Sequence, residues 1–459
     1  MDNFFTKNFM YLNFILSLTL ILISKMIYPS LNFFILFFSL LLFLIYYLQE
    51  IKKFSNKLYD IILIIFFIKV VLTFVIYEIG FNLNFEHGDI GGSDSVSYFY
   101  SFNILFDILT NQIFDFYLSR EGFLELFFLI YNIFIKFLVP EISLKNIAIL
   151  NIFYIGFTSI IFFKIFSKLK IDPRVTFIFI LLLNIDFKLT FFGLFNLTEN
   201  LVCFLIAVSF YQYVKINLNE INYSSLLTFF TTVLLILLIK FNFGVILTFF
   251  YLVHFLFKTI FKKLTKIKLI IAFLILSVPI VLSYWYFFYG PANLYSIIRS
   301  ADVIRDPNSI GSFFQNLDVM KNPFYSILQL ISGIVGIFPL YKYYTPFMEL
   351  EKIAIVWFHI LFILSFLGIR EMIINKSITL NHFSIILFGF LHLLICAIAS
   401  LGTLEFVRFS IFSQFIFLYF SASFLFREIT KKLKLTFVIY LIITGFLHAI
   451  YFPLKIFIF

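Results

Sequence analysis

Apolar runs of membrane-spanning length recur along the whole chain, separated by short polar segments. A transmembrane helix needs about 20 mostly apolar residues. The runs that approach or meet this length are 8–24, 31–48, 58–77, 147–164, 175–191, 197–214, 222–239, 241–258, 268–289, 353–369, 379–400, 405–426 and 434–452. The pattern predicts an all-α polytopic membrane protein, a bundle of about 13 transmembrane helices with further helices on the membrane surface.

Composition supports this class. Of the 459 residues, 62% are hydrophobic and 13% are charged, whereas a soluble domain is about 25% charged. This excludes a soluble globular domain, a disordered chain and a nucleic-acid-binding domain. The two cysteines, Cys203 and Cys396, lie inside apolar runs and indicate neither a disulfide framework nor a zinc site. The first apolar run can serve as an uncleaved anchor.

One further apolar segment, 122–139, is long enough to cross the membrane but has a polar face. Glu125, Asn132 and Lys136 fall on one side of a helix, which favours a helix lying on the membrane surface. Placing it outside also puts the basic clusters in the cytoplasm, as the positive-inside rule requires. By the same reasoning 324–341 is an external interfacial or re-entrant segment.

This topology divides the chain into five parts with two large external regions. The parts are 1–77 (N-terminal transmembrane helices), 78–146 (external acidic loop with surface helices), 147–289 (transmembrane bundle), 290–352 (external loop with an interfacial helix) and 353–459 (C-terminal transmembrane helices). The first external region holds nine acidic and three basic residues. Any chemistry is therefore expected on the external, periplasmic side of the cytoplasmic (inner) membrane.

The first candidate for chemistry lies in the acidic loop. Gly91 and Gly92 allow a sharp turn, after which Ser93 or Asp94 could cap the helix that starts with Val96 and Tyr98. A carboxylate at such a helix start is held ionised and can accept a proton from a bound hydroxyl. The alternative is that Asp94 is a helix cap alone.

Three other charged positions have both a functional and a structural interpretation. Arg120 could bind a phosphate or a sugar, or pair with its neighbour Glu121 at the membrane interface. Glu199 stands at the outer end of a span, where it could bind a substrate or be an exposed helix-end carboxylate. Lys240 lies in a tight outer turn, where snorkelling would also explain it.

Arg408 lies about one turn inside an apolar span on the external side, where an arginine is costly unless paired or used. It could pair with Glu405 three residues earlier. It could instead bind a lipid-linked phosphate through its guanidinium group.

Histidine spacing predicts no metal site, since most histidines are scattered along predicted spans. His87 lies beside Asp89 and could join a cation site with Asp94, so a divalent cation stays open as a cofactor and no other cofactor is indicated.

Taken in order, these segments resemble the GT-C fold of polyprenyl-phosphate-sugar-dependent glycosyltransferases, the superfamily of protein O-mannosyltransferases and aminoarabinose transferases. The segments that carry the resemblance are 94–98, 122–134, 198–199, 240–244, 322–325 with 336–340, and 408–409. Three features depart from the family pattern. Ser95 stands where many members carry a second acid, the surface-helix prolines are missing, and two extra N-terminal spans precede the acidic loop.

The resemblance implies an inverting glycosyltransferase that moves a sugar from a polyprenyl-phosphate donor to a hydroxyl of a glycan, lipid or protein acceptor. Asp94 would be the general base, and Arg408 with Lys240 would bind the donor phosphate. The substrate pocket would be lined by Asp89, Tyr98, Arg120 and Glu199.

Two alternatives remain open. An O-antigen-type polysaccharide polymerase is also polytopic, but its chemistry calls for basic external loops, and the first loop here is acidic. A lipid-linked saccharide transporter or flippase would place ionisable groups near the middle of the membrane and would show related halves. We find no internal repeat, and the charges that the sequence singles out gather at the outer rim.

Overall fold

The computed structural model describes residues 12–13, 15–21, 23–24, 31–85, 133–139, 142–195, 197–220, 222–260, 346–400 and 410–426. Every regular element in these ranges is a helix. The predicted spans 268–289 and 434–452 lie outside the described residues, as do most of the two external regions. Of the predicted surface helix 122–139 only the last seven residues are described, so its placement on the membrane stays a prediction.

Eleven α-helices are defined within this part of the chain. They are α1 (Asn32–Phe54), α2 (Asn56–Asn82), α3 (Leu144–Leu169), α4 (Pro173–Ile185), α5 (Phe187–Gly193), α6 (Glu199–Asn217), α7 (Tyr223–Ile239), α8 (Phe241–Ile260), α9 (Pro346–Ile374), α10 (Leu380–Ser400) and α11 (Gln414–Leu425), the last preceded by a 3₁₀ turn at Ser410–Ser413.

Several apolar segments have the length needed to cross a bilayer. Within the described residues, five segments are long and apolar enough to cross: Asn32–Phe54, Asn56–Asn82, Leu144–Leu169, Pro173–Gly193 and Ile353–Ile374. The described part of the chain is thus all-α with multiple helices of spanning length, as a multi-pass membrane protein requires. The predicted total of about 13 is not established by these five.

Polar residues at the predicted loops begin the helices. Ser55 accepts a hydrogen bond from Leu58 N at 3.2 Å and turns the chain between α1 and α2. Ser143, Asp172 and Asn222 cap α3, α4 and α7 in the same way. These side chains replace the partners that the first turn of a helix lacks, and so fix the helix boundaries within the apolar pattern.

The chain forms two compact units. The first comprises residues 1–244, 339–369 and 417–428, and α3 is its central helix, in contact with α1, α2, α4, α5 and α6. The most apolar window of α3 is 78% buried, against 28% and 33% for α1 and α2. Phe153 of α3 packs between Phe37 and Phe66, with ring centroids 5.4 and 4.8 Å away. The α1–α2 hairpin is therefore peripheral, and its exposed apolar faces suit contact with lipid.

Charged side chains mark the two ends of this unit. At one end, here called the basic end, Lys164 pairs with Glu50 at 3.2 Å and Lys168 pairs with Glu220. At the opposite end of α3, Lys145 pairs with Glu78 at 3.0 Å. Ion pairs at both ends, with apolar helices between them, match the boundaries of a bundle that crosses a membrane.

The second unit comprises residues 245–338, 370–416 and 429–459. In its described part, Phe250 of α8 packs on Phe388 of α10 with centroids 4.5 Å apart. His392 of α10 contacts the hydroxyl of Ser413 through Nδ1 and the Cys396 thiol through Nε2, the latter at 3.4 Å. All three side chains are buried, so they tie α10 to the 3₁₀ turn before α11.

Candidate functional site

Two of the seven predicted site residues, Glu199 and Lys240, lie within the described residues. Asp89, Asp94, Tyr98, Arg120 and Arg408 lie outside them. Glu199 begins α6 and Lys240 follows the last residue of α7. Because α6 and α7 are consecutive packed helices of similar length, these two residues lie at the same end of an antiparallel pair.

Glu199 is buried rather than exposed. Only 3% of this residue is exposed, which excludes the interpretation of a helix-end carboxylate in water. Lys240 is half-buried and ends α7, where its backbone N–H donates to Ile236 O at 2.8 Å. Burial of Glu199 calls for nearby polar or charged groups, because an isolated buried carboxylate is strongly unfavourable.

A break in the predicted span 175–191 supplies such groups. The structure has a segment of spanning length here, Pro173–Gly193, but it consists of two helices: α4 ends at Ile185, and α5 begins after Asp186. Asp186 Oδ1 accepts from Leu189 N at 2.7 Å and so caps α5. Asp186 Oδ2 accepts from Trp357 Nε1 of α9 at 2.8 Å. A fully buried carboxylate thus interrupts the span.

Lys188 lies two residues after the break and is also fully buried. Its Nζ lies 4.8 Å from the centre of the Phe358 ring, a cation–π contact. Lys188, Asp186 and Glu199 all act electrostatically on the thiol of Cys203, which lies one turn along α6 from Glu199. The three charged groups therefore lie in the same region of the bundle.

Lys69 of α2 brings a second lysine side chain to this region. It is 4% exposed and interacts electrostatically with Asp186. None of the residues that the structure describes accepts a hydrogen bond from its Nζ. A cavity of about 10 Å³ adjoins it, lined by Lys69, Asn184 and apolar residues of α1, α2 and α3, and such a volume holds about one water molecule.

These four residues, Lys69, Asp186, Lys188 and Glu199, are here called the buried charge cluster. Their formal charges sum to zero, as expected where the surroundings cannot stabilise a net charge. The cluster is remote from the basic end. Arg174 lies there, because it is in the first turn of α4, just after Lys168 and the end of α3, and Asp186 follows Arg174 by twelve residues, or about 18 Å of helix. It therefore belongs to the half of the unit that also contains Lys145 and Glu78.

Three members of the cluster are absent from the predicted site, although the sequence contains a signal for each. An ionisable residue inside a predicted span is a functional-site candidate by default. Asp186 and Lys188 lie within the predicted span 175–191, and Lys69 lies within 58–77. What the sequence could not supply is the proximity of Lys69 and Asp186, since they belong to different helices that only the fold brings together.

Within the described ranges no three His, Cys, Asp or Glu side chains are grouped as metal ligands would be. The predicted cation site of His87, Asp89 and Asp94 lies outside these ranges.

The site and fold define an all-α protein of the multi-pass membrane type with a buried, electroneutral charge cluster. No protein-family model, curated protein or solved structure matches this chain.

Proposed function

We propose that this protein is an integral-membrane glycosyltransferase of the GT-C type, which transfers a sugar from a polyprenyl-phosphate donor to an acceptor hydroxyl with inversion. The observation that supports this proposal most is the burial of Glu199 among Asp186 and Lys188. Glu199 is a candidate substrate-binding residue on independent grounds, and its neighbours have the chemistry that a charged substrate needs.

The energetics favour a functional origin for this cluster. A charged side chain at the centre of a span costs about 2.5–3.5 kcal/mol on the insertion scale, and apolar replacement of buried ion pairs is often neutral or stabilising. Four such charges are therefore a poor means of stabilising a helix bundle. Lysines can hold phosphate oxygens, and carboxylates can accept hydrogen bonds from hydroxyls, which matches a phosphate-linked sugar.

In this proposal the reaction takes place on the external face of the cytoplasmic membrane, within a bundle of about 13 spans. Asp94 is the general base, and Arg408 with Lys240 binds the donor phosphate and stabilises the leaving group. Asp89, Tyr98, Arg120 and Glu199 contact the sugar or the acceptor. The polyprenyl chain lies in the bilayer beside the spans.

Transfer by the purified protein tests the proposal. With a panel of polyprenyl-phosphate sugars and a membrane-extract acceptor, Asp94→Asn should lower the transfer rate about 10²–10⁴-fold. Glu199→Gln removes a charged hydrogen-bonding partner worth about 1.5–3 kcal/mol, so it should lower kcat/KM about 10–150-fold.

Glu220→Gln is the matched control, because Glu220 pairs with Lys168 at the basic end and an exposed pair contributes little. It should transfer at the wild-type rate. Equal activity of the wild type and the Glu199→Gln and Asp94→Asn variants would refute the assigned roles, and a wild type that transfers none of the sugars would refute the enzyme class.

A transporter or flippase for lipid-linked saccharides is a second candidate, favoured by the helix break at Asp186. Interrupted spans with charged residues at the break are typical of substrate sites in transporters. Proteoliposomes containing a fluorescent lipid-linked saccharide distinguish the two candidates. A flippase makes the inner-leaflet probe accessible to a membrane-impermeant quencher, whereas a glycosyltransferase changes its mass only when an acceptor is present.

A further inference from the structure

Next to the buried charge cluster lies a group of uncharged polar side chains with an unusual property. Asn151 of α3, Thr198 before α6 and Asn200 in the first turn of α6 are each at most 1% exposed. Among the residues that the structure describes, Asn151 Oδ1, Thr198 Oγ1 and both amide atoms of Asn200 have no hydrogen-bond partner. These three residues are here called the amide–hydroxyl group.

Contacts with the segment between α5 and α6 hold the amide–hydroxyl group together. Asn151 Nδ2 donates to Phe195 O at 3.2 Å. Since a carbonyl can only accept, Asn151 Oδ1 must face away from Phe195. Asn200 lies against the Cα of Gly193, where an added Cβ would come within 2.0 Å of the amide nitrogen. Thr198 occupies the cap position of α6, yet its side chain makes no capping hydrogen bond.

Unsatisfied buried polar groups are rare, because each costs its full desolvation energy. Leucine or valine would have the same shape as these side chains at no such cost. The group combines residues of two helices that are packed on each other, and it directly adjoins Glu199. A ligand that forms the missing hydrogen bonds explains why polar residues occupy these positions.

The balance of donors and acceptors selects the kind of ligand. Asn151 Oδ1 and Asn200 Oδ1 can only accept, Asn200 Nδ2 can only donate, and the Thr198 hydroxyl can do both. A phosphate group only accepts and would leave both amide oxygens unsatisfied. A group with several neighbouring hydroxyls can donate and accept at each, and so can satisfy all of them.

We propose that Asn151, Thr198 and Asn200 form a subsite that binds the neutral, polyhydroxylated part of a ligand, while charged groups elsewhere in the site bind its anionic part. The inference rests on the proposed function for the identity of that part as the sugar of a lipid-linked donor. Thr198 and Asn200 then discriminate a glycosylated lipid from the same lipid without sugar.

Apolar substitutions of the same shape test this subsite by separating stability from binding. Thr198→Val and Asn200→Leu remove unsatisfied polar atoms, so the apparent melting temperature of the full-length protein, in a detergent without a sugar headgroup, should rise. Thr232→Val is the matched control, because the buried Thr232 hydroxyl already donates to Thr228 O at 2.8 Å. The melting temperature of this control variant should not rise.

Binding is measured with two probes, undecaprenyl phosphate and a panel of undecaprenyl-phosphate hexoses. The wild type should bind at least one glycosylated lipid more tightly than the sugar-free lipid. Thr198→Val and Asn200→Leu should each weaken that binding about 3–10-fold, as expected for one neutral hydrogen bond, and should leave binding of undecaprenyl phosphate unchanged.

Three results would overturn the inference: a lower melting temperature for both variants, wild-type affinity of both variants for the glycosylated lipid, or no binding of any glycosylated lipid by the wild type. Failure of the proposed function would give a different result from failure of the subsite. A protein that binds the glycosylated lipid through Thr198 and Asn200 but transfers no sugar keeps the subsite and loses the glycosyltransferase assignment.

Discussion

At the scale of single residues, Asp186 joins two structural elements through one side chain. One carboxylate oxygen caps α5 and the other holds the indole of Trp357. The Leu189 N–H is buried, and Trp357 is half-buried, so water replaces a lost acceptor poorly at the first donor and in part at the second. The helix break and the position of α9 therefore depend on the same side chain.

Replacing Asp186 tests this dependence. Asp186→Ala leaves two donors without an acceptor, and since each costs about 1–3 kcal/mol, the free energy of unfolding should fall by about 2–6 kcal/mol. Asp186→Asn keeps an oxygen that can cap α5 and should cost less. Reversible unfolding in mixed detergent micelles measures both, and tryptophan emission should shift to longer wavelength in Asp186→Ala.

Asp172→Ala is the control for loss of a cap alone, because Asp172 caps α4 at an exposed position. Its cost should be about 1 kcal/mol. If Asp186→Ala costs no more than Asp172→Ala, the buried carboxylate is not structurally required.

The sequence identifies a candidate site residue where a charged side chain stands at the end of an apolar run. Glu199 is identified in this way, although the sequence leaves its burial open. Lys69, Asp186 and Lys188 are missed because hydropathy averaged over a window hides single charges. Asn200 carries no sequence signal, and Thr198 enters only through the resemblance at 198–199, since asparagine and threonine at a helix start ordinarily serve as caps.

At the scale of the elements, boundaries follow the sequence closely. The caps at Ser55, Ser143 and Asn222 stand where the apolar runs begin, and the predicted helices occur at those places. The break at Asp186 could not be predicted in this way, because neither proline nor glycine marks it. The break depends on the Asp186 carboxylate, which accepts hydrogen bonds from both Leu189 N and Trp357 Nε1. Trp357 lies in a distant part of the chain.

At Gly368 of α9 two backbones approach closely. A Cβ added there would lie 2.2 Å from Phe420 O, and Ser421 donates to Leu361 O at 3.1 Å beside it. Gly368→Ala would therefore push two backbones apart and should destabilise the protein by about 1–3 kcal/mol, measured as a lower melting temperature.

Gly389→Ala provides the comparison. Its added Cβ would meet the end of the Ile416 side chain at 3.1 Å, which can adjust more readily than a backbone carbonyl. A smaller loss of stability is expected there. Equal losses of stability in the two variants would mean that the close backbone contact at Gly368 does not make a substitution there more destabilising.

At the scale of the whole molecule, the sequence predicts which side of the membrane each helix end faces. Residues near the two ends of the bundle allow this prediction to be tested. Glu78 is an exposed residue at the end remote from the basic end, and Tyr223 begins α7 at the basic end and is 95% exposed. In intact cells a membrane-impermeant maleimide should label Glu78→Cys at once and Tyr223→Cys only after permeabilisation. The native Cys203 and Cys396 are buried and should contribute little background.

The reverse labelling pattern would place the buried charge cluster in the cytoplasmic half and would remove the basis for an external active site. Additional cysteines at positions 130 and 145 test the surface helix 122–139. Both should be labelled from outside, whereas cytoplasmic labelling at 145 would show that this segment crosses the membrane.

The peripheral position of the α1–α2 hairpin has a consequence for how the protein is made. Lys69 emerges from the ribosome roughly 120 residues before Asp186, which at 5–20 residues per second is a delay of about 6–24 s. During this time the hairpin is complete, but Asp186, whose carboxylate interacts electrostatically with Lys69 in the finished protein, has not been made. Lys69 can meanwhile reach the interface with its long side chain or remain beside the translocon. The charged surroundings of Lys69 are therefore completed only when α4 and α5 are made, well after the hairpin itself.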